Sequence, residues 1–276
     1  MIPIVFIAAA VAAAALARPR RKSKKAISSG GGVAEGGVAP GGVPSTGEVS
    51  NGAVTPSPRV LPAECLGLTA QGGQLAGVDY IEFVTGGARE DDELPMIVSL
   101  HGLGYDNTAH IKWLKEIATP VRVILPNGFF EKTSRTKRAW WPSYSDRALK
   151  EASQGLANFV YFIQQCRPTR GRPVMTGHSM GGYVALDFAT QFPELLTATV
   201  PVAATRSKRL WDVHPGVPVH GIHGELDNSF ESANRYYYEM YERGLPVAMT
   251  SVSGAPHRIT SKVAGPWIDA LSSFIV

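Results

Sequence analysis

The chain has 276 residues, of which 44% are hydrophobic and 18% charged, and its formal net charge at pH 7 is +4. This composition excludes a disordered chain, and about 200 residues suffice for one α/β domain with a sizeable core. Six basic residues lie together between Arg18 and Lys25 and the rest of the chain is close to neutral, which argues against a nucleic-acid-binding protein.

The chain begins with an uninterrupted apolar segment, residues 1–17, which lacks charged side chains. We expect residues 1–25 to form a hydrophobic N-terminal anchor with a basic flank. Lys and Arg on its C-terminal side predict that the following domain is membrane-associated and faces the cytoplasm. The alternative is a signal segment cleaved after Ala15-Leu16-Ala17, in which case the domain is exported.

Residues 26–60 are rich in Gly, Pro, Ser and Val and have neither helical nor strand periodicity. We expect a disordered linker, with a root-mean-square span of roughly 30 to 35 Å, that tethers a folded domain of residues 61–276. Two cysteines, Cys65 and Cys166, match no metal or redox spacing. They would pair in an exported domain and stay free in a cytoplasmic one.

From Val78 onward, apolar runs alternate with segments of helical periodicity. The predicted strands are residues 78–84, 95–100, 121–126, 172–177, 197–203, 217–224 and 247–252, and the predicted helices are 149–166, 180–192, 231–244 and 262–275. This alternation predicts an α/β fold with a mostly parallel central sheet and helices on both faces. In such sheets, functional loops follow the carboxyl ends of the strands.

The second predicted strand runs into "SLHGLGYDN", residues 99–107. This glycine-rich turn is able to present the backbone N–H of Leu103 to an oxyanion, with the N–H of Met180 as the second donor. We expect His101 to shape the loop rather than to titrate during catalysis. His101 and Gly102 are also predicted substrate contacts.

Aromatic residues follow the next strand, in "LPNGFF" and "RAWWPSY". Trp140, Trp141 and Tyr144, together with Phe129 and Phe130, are candidates for lining an apolar acyl or aryl groove. A packing role in the core or in a loop is an equal alternative for each of them.

The pattern Gly177-His178-Ser179-Met180-Gly181 matches G-x-S-x-G between a predicted strand and a predicted helix. That context is the one a nucleophile elbow needs, because a sharp strand-to-helix turn leaves no room for side chains at the two glycines. Ser179 is the predicted nucleophile, and His178 a predicted substrate contact. A simple helix-capping role for Ser179 is the alternative.

A nucleophilic serine needs a base and an orienting carboxylate, and this motif places both downstream in the order acid, then histidine. Asp227 follows a predicted strand and is preferred to Glu225, with Asn228 as the expected cap of the next helix. His257 is the one histidine beyond Asp227.

His220 and His223 are three residues apart on a predicted strand. Side chains with this spacing point to opposite faces, which argues against a metal site.

The segments "LHGLG", "GHSMGG", "HGELD" and "GAPH" resemble those of α/β-hydrolases, over roughly residues 78–276. "LPNGFF" and "RAWWPSY" are similar to the phospholipase/carboxylesterase branch, which includes acyl-protein thioesterases, and to polyhydroxyalkanoate depolymerase and feruloyl esterase relatives. The short interval between "SMGG" and "HGELD" predicts little or no cap domain.

The motifs together predict a serine hydrolase that cleaves a small-molecule carboxylic ester or thioester through a covalent acyl-enzyme. The predicted triad is Ser179, Asp227 and His257, with neither a metal nor an organic cofactor. One alternative is a catalytically silent α/β-hydrolase fold that binds a protein partner, and another is a lipase or peptidase with the same triad.

Overall fold

The computed structural model of the protein describes residues 62–134, 137–142, 145–205 and 215–275. The predicted anchor or signal segment and the predicted linker lie outside the described residues, as does Tyr144. Within the described ranges, no helix is both long and apolar enough to cross a membrane.

Eight strands form one sheet in the order β1-β2-β4-β3-β7-β8-β9-β10, and β5 pairs with β6 in a separate hairpin. The strands are β1 (Gly72–Leu75), β2 (Val78–Val84), β3 (Met96–Leu100), β4 (Arg122–Pro126), β5 (Phe130–Ser134), β6 (Lys137–Ala139), β7 (Val174–His178), β8 (Ala198–Val202), β9 (Val219–Gly224) and β10 (Val247–Val252). Strand β2 runs antiparallel to β1 and β4, and the pairs from β4 to β10 are parallel. The predicted mostly parallel sheet is confirmed.

Helices cover both faces of this sheet. They are α1 (Ile111–Leu114), α2 (Asp146–Cys166), α3 (Met180–Gln191), α4 (Phe230–Glu242) and α5 (Ser261–Ser272). Neighbouring residues of β3 belong to different cores, since Val98 packs with α2 and α3 whereas Ile97 packs with α1 and α5. Because side chains alternate along a strand, the sheet has buried apolar clusters on both faces, and its central strands are buried on both sides.

Among the described strands and α-helices, four were absent from the sequence prediction: β1, α1 and the two strands of the β5–β6 hairpin. Strand β1 is the four-residue stretch GGQL, which is too short and too glycine-rich to show periodicity. The hairpin strands carry charged residues and no apolar alternation, so tertiary pairing rather than local pattern determines them.

Cys65 and Cys166 form a disulfide, which joins a short 3₁₀ turn at Ala63–Cys65 to the last residue of α2. The sequence had left both a disulfide and free thiols open. Both cysteines are buried, and they close a loop with a sequence separation of 101 residues.

A buried cluster of ionised side chains connects β2, β4 and the end of α2, where Arg167 directly follows Cys166. The carboxylate of Glu82 accepts from the guanidinium of Arg122, and Nε of Arg167 donates to both of its oxygens at 2.9 and 2.8 Å. Arg167 also donates to the hydroxyl of Tyr80 at 3.3 Å. Burial raises the pKa of Tyr80 to about 12, so this hydroxyl stays protonated.

Candidate active site

The three predicted triad residues meet at one edge of the sheet. Ser179 follows β7, Asp227 follows β9 and His257 follows β10. Strands β7 to β10 are neighbours and run parallel, so their carboxyl ends lie side by side. This shared edge is what brings residues from distant parts of the chain together.

Ser179 occupies a strained turn between β7 and α3, with φ +52° and ψ −115°. A Cβ on Gly177 would lie 2.4 Å from the backbone of Gly181 across the turn, as the motif predicted. A Cβ on Gly181 would instead lie 2.2 Å from the carbonyl oxygen of Leu100 in β3. Both glycines therefore let the backbone approach closely enough to hold the serine in a conformation that L-residues rarely adopt.

His257 lies within hydrogen-bonding distance of both other residues. Its Nε2 is 2.8 Å from Oγ of Ser179, and its Nδ1 is 2.6 Å from Oδ2 of Asp227. A carboxylate only accepts hydrogen bonds, so Nδ1–H donates to Asp227, and in the tautomer with its hydrogen on Nδ1 the ring presents the Nε2 lone pair to the serine hydroxyl. This tautomer suits a base that takes the proton of Ser179.

Asp227 is buried and saturated with donors. Its Oδ1 accepts from both the N–H and the hydroxyl of Ser229 at 2.8 Å, and Nε2 of His223 lies 3.1 Å from Oδ2. Burial alone would raise the pKa of Asp227, but hydrogen bonds from Ser229 and His257 outweigh it and hold the pKa below its ordinary value. The carboxylate therefore stays charged where it faces His257.

Glu225 and Asn228, the other candidates in this loop, are both exposed. Ser229, not Asn228, occupies the N-cap position of α4, so the capping prediction was wrong. The reason is that Oδ1 of Asp227 accepts a hydrogen bond from the N–H of Ser229 and forms a turn. The helix therefore begins one residue later than expected.

Leu103 and Met180 are the predicted oxyanion donors. Leu103 lines the cleft beside the serine, and Met180 is the first residue of α3. Among the described residues, neither backbone N–H has a protein acceptor. Two unpaired N–H groups, one at a helix N-terminus, suit a developing negative charge.

The β5–β6 hairpin, which the sequence did not predict, supports residues 101–105, the loop that carries Leu103 and is called the oxyanion loop below. The N–H of Gly104 donates to the carbonyl of Arg138, and the N–H of Arg138 donates to the carbonyl of Tyr105, both at 3.0 Å. Main-chain pairing on both sides of Gly104 holds the turn that carries Leu103.

The buried side chain of His101 stabilises the same loop through two hydrogen bonds. Its Nδ1 donates to the carbonyl of Gly102 at 2.8 Å, and its Nε2 accepts from the N–H of Gly128 at 2.9 Å. Burial lowers the pKa of His101 to about 4, so the ring is neutral at physiological pH. These two hydrogen bonds hold the loop, and His101 is not among the residues that line the cleft above Ser179, so its role as a substrate contact stays a prediction.

The cleft above Ser179 has a volume of about 380 Å³. Its lining comprises Gly102, Leu103, Tyr105, His178, Ser179, Pro256, His257 and Arg258. Of the six predicted substrate contacts, Gly102 and His178 line it. Tyr105, Pro256 and Arg258 were not predicted as site residues, although Tyr105 and Pro256 lie in quoted segments and Arg258 directly follows one.

Trp140 and Trp141 are buried and also absent from the cleft lining. The ring nitrogen of Trp140 donates to the carbonyl of His101 at 2.8 Å, and its ring packs on the imidazole of His101. Trp140, Phe129 and Phe130 line a different pocket of about 400 Å³ against α2. These three aromatic residues do not line the triad cleft, and their role in an acyl or aryl groove stays a prediction.

Within the described ranges, no group of three or more His, Cys, Asp or Glu side chains is arranged to hold a metal ion. His220 instead hydrogen-bonds Oγ1 of Thr250 at 2.8 Å, and His223 contacts Ser229.

The model of the dienelactone hydrolase family matches residues 123–265, which include the elbow, Asp227 and His257. The chain belongs to the dienelactone hydrolase family. Membership makes the protein a hydrolase with esterase-like activity, and ester hydrolysis is its reaction class. The resemblance to α/β-hydrolase esterases is confirmed.

Solved structures share the fold of this dienelactone hydrolase family member. Esterase PE8 is 18% identical with a TM-score of 0.57, over 71% of this chain and 99% of its own. A carboxylesterase from Mesorhizobium loti is 15% identical with a TM-score of 0.60, over 72% and 96%. Zea mays acyl-protein thioesterase 2 is 18% identical with a TM-score of 0.52, over 70% and 97%. No curated protein matches the chain.

Proposed function

We propose that the protein cleaves a carboxylic ester or thioester in two steps, through a covalent acyl group on Ser179. The observation that carries this proposal is the position of His257, within hydrogen-bonding distance of both Ser179 and Asp227. A serine hydroxyl is a weak nucleophile without such a base, and the buried Asp227 carboxylate stabilises the imidazolium that forms.

In the first step, Oγ of Ser179 attacks the carbonyl carbon while Nε2 of His257 takes its proton. The carbonyl oxygen becomes negative and accepts from the N–H groups of Leu103 and Met180. When the tetrahedral intermediate collapses, the bond to the alcohol or thiol breaks and His257 returns the proton to that leaving group. Ser179 then carries the acyl group.

In the second step, His257 takes a proton from water, and the hydroxide that results attacks the acyl carbon. The same two N–H groups hold the second oxyanion. Collapse of this second tetrahedral intermediate breaks the bond between the acyl carbon and Oγ of Ser179. Oγ recovers its proton from His257, and the carboxylic acid is released. Atoms and protons balance without a cofactor, because water supplies the hydroxyl of the product acid.

The cleft size supports a small-molecule substrate rather than a buried long chain. A volume of about 380 Å³ lies at the lower end of small-ligand sites. Residues 203–218, between β8 and β9, are too few for a separate cap domain. We expect turnover to fall as the acyl chain lengthens, which is the opposite of the behaviour of a lipase.

Turnover of p-nitrophenyl acetate, butyrate, octanoate and palmitate by the full chain tests the proposal, alongside one thioester and one peptide amide. Ser179→Ala should lose at least about 10³-fold in kcat. The matched control is Ser273→Ala at the C-terminal end of α5, which should retain full activity. Equal turnover by wild type and Ser179→Ala would rule the mechanism out.

A fluorophosphonate probe gives an independent readout, because it labels an activated serine without turnover. Ser179 should be labelled in the folded wild-type chain and in Ser273→Ala. A wild-type chain that folds but is not labelled at Ser179 would favour the catalytically silent binding protein instead.

We also propose that the domain works in an oxidising compartment, as the exported alternative requires. The Cys65–Cys166 disulfide supports this location, since such bonds persist in exported proteins and are rare in the cytosol. Fractionation of cells that express the full chain, with protease access and thiol alkylation, tests it. A protease-shielded domain with two alkylatable thiols would support the cytoplasmic orientation that the charge pattern predicts.

A further inference from the structure

We propose that His178 is a positioning residue that fixes the main chain of His257; this inference rests on the proposed function. Nε2 of His178 lies 2.6 Å from the carbonyl oxygen of His257. A carbonyl oxygen only accepts, so the ring donates its Nε2–H. The residue directly before the nucleophile thereby holds the backbone of the base.

The loop that carries His257 has little other main-chain support. Leu226 donates to the carbonyl of Ala255 at 3.0 Å, and the next contacts begin at Thr260, which accepts from the first turn of α5. Among the described residues, the hydrogen bond from His178 is the one that reaches the backbone of residues 256–259. The side chain of His257 is half exposed, so packing covers only part of this ring, although Ala255 is buried and Ile259 packs against the core.

The ring of His178 is itself held firmly. It is 7% exposed and ends β7, whose residues pair with β3 and β8 on either side. Its Nδ1 lies so close to Gly102 that a Cβ there would be 2.8 Å away. His178 therefore contacts the oxyanion loop on one side and the His257 loop on the other.

His178 donates this hydrogen bond as a neutral group. Burial lowers its pKa to about 4, although the carbonyl of His257 favours the charged form. A neutral ring adds no positive charge beside His257, which must itself become positive during the reaction.

This anchoring matters because His257 transfers protons in two directions. It takes one from Oγ of Ser179 and returns it to a leaving group whose oxygen or sulfur lies elsewhere in the cleft. Small displacements of such a group cost up to about 100-fold in rate. Residues that orient a metal-bound histidine by one hydrogen bond contribute about 10- to 100-fold to activity, and we expect an effect of that size for a histidine that acts as a base.

Two substitutions of His178 distinguish the effect of its N–H donor from the effect of its ring shape. His178→Phe keeps the ring shape and removes the N–H, whereas His178→Gln keeps an N–H donor at about the same reach. In the full chain with p-nitrophenyl acetate, we expect His178→Phe to lower kcat about 10- to 100-fold while KM changes less than about threefold. His178→Gln should recover kcat to within about fivefold of wild type.

The matched control is His220→Phe. His220 is also a largely buried histidine with one hydrogen bond, to Thr250 on the neighbouring strand, but it does not line the cleft. Its replacement should leave kcat within about twofold of wild type. Circular dichroism and the thermal midpoint of each variant report on folding separately from activity.

The outcomes are distinct. Wild-type kcat in a folded His178→Phe, or equal losses in the Phe and Gln variants, would overturn the positioning role. A raised KM at unchanged kcat would assign the ring to substrate contact instead. Should His178→Phe not fold, His178→Gln decides alone, and a kcat more than about tenfold below wild type contradicts the proposal. Failure of the proposed function is recognised independently, by full activity in Ser179→Ala.

Discussion

Oδ2 of Asp227 lies 2.6 Å from Nδ1 of His257. The other oxygen of the same carboxylate accepts both hydrogen bonds from Ser229 at the start of α4. The start of α4 thus fixes the carboxylate that orients the imidazole of His257. The side chain of Asp227 cannot rotate without breaking the two hydrogen bonds from Ser229.

Asp227→Asn should lower kcat by about 10³- to 10⁴-fold. An amide that donates toward His257 favours the tautomer with hydrogen on Nε2, which no longer accepts the proton of Ser179. Steady-state kinetics on p-nitrophenyl acetate measure the loss. Glu225→Gln, two residues away and exposed, is the matched control and should behave as wild type. If the two variants are equally active, Asp227 does not orient the base.

Acid should destabilise the protein well before its carboxylates titrate. Burial lowers the pKa values of His101 and His178 from an ordinary 6.5 to about 4. Between pH 6.5 and 4, the unfolded chain therefore binds protons that the folded chain rejects, and the free energy of unfolding falls as pH falls. Each histidine contributes about 3 kcal/mol to this loss, against about 5 to 15 kcal/mol for a whole domain.

Urea denaturation at pH 7.5, 5.5 and 4.5 checks this expectation. Three more buried or partly buried histidines have lowered pKa values for the same reason and act in the same direction; they are His110, His220 and His223. His178→Gln removes one titrating group and should flatten the dependence by up to about 3 kcal/mol. A midpoint that is constant between pH 7.5 and 4.5 would contradict the prediction.

Gly181→Ala should destabilise the fold and abolish activity. The added Cβ would lie 2.2 Å from the carbonyl oxygen of Leu100, so α3 would have to move away from β3. Steric overpacking of this kind costs about 1 to 3 kcal/mol or more. Gly265→Ala in α5 is the control, because nothing lies within 4 Å of its Cβ position. Thermal midpoints should separate the two variants, and equal midpoints would show that the close approach is relieved cheaply.

Reduction of the Cys65–Cys166 disulfide should lower the free energy of unfolding by about 2 to 5 kcal/mol. The bond closes a loop with a sequence separation of 101 residues, so it restricts the unfolded chain strongly. The double variant Cys65→Ser, Cys166→Ser should match the reduced wild type in urea denaturation. A reductant should leave the double variant unchanged; if it weakens that variant equally, the effect does not come from this bond.

Sequence periodicity was sufficient to predict the alternation of β2, β3, β4 and β7 to β10 with four of the helices, because their apolar runs are long. The serine, acid and histidine were also predictable, since parallel neighbouring strands bring their carboxyl ends to one edge. Ser179 directly follows the end of β7, whereas Asp227 and His257 lie in the short loops that follow β9 and β10. Local pattern and connectivity together therefore determined which side chains meet.

Other features depend on contacts between segments with no local pattern. The β5–β6 hairpin is mostly polar. It is stabilised by the pairing of its two strands and by its backbone hydrogen bonds to the oxyanion loop. The sequence assigned His101 and His178 alike as substrate contacts. Only the tertiary structure shows which backbone groups each ring contacts: His101 lies between Gly102 and Gly128, whereas His178 lies beneath the carbonyl of His257. A side chain's role depends on which backbone atoms lie within about 3 Å of it, and packing, not residue spacing, sets those distances.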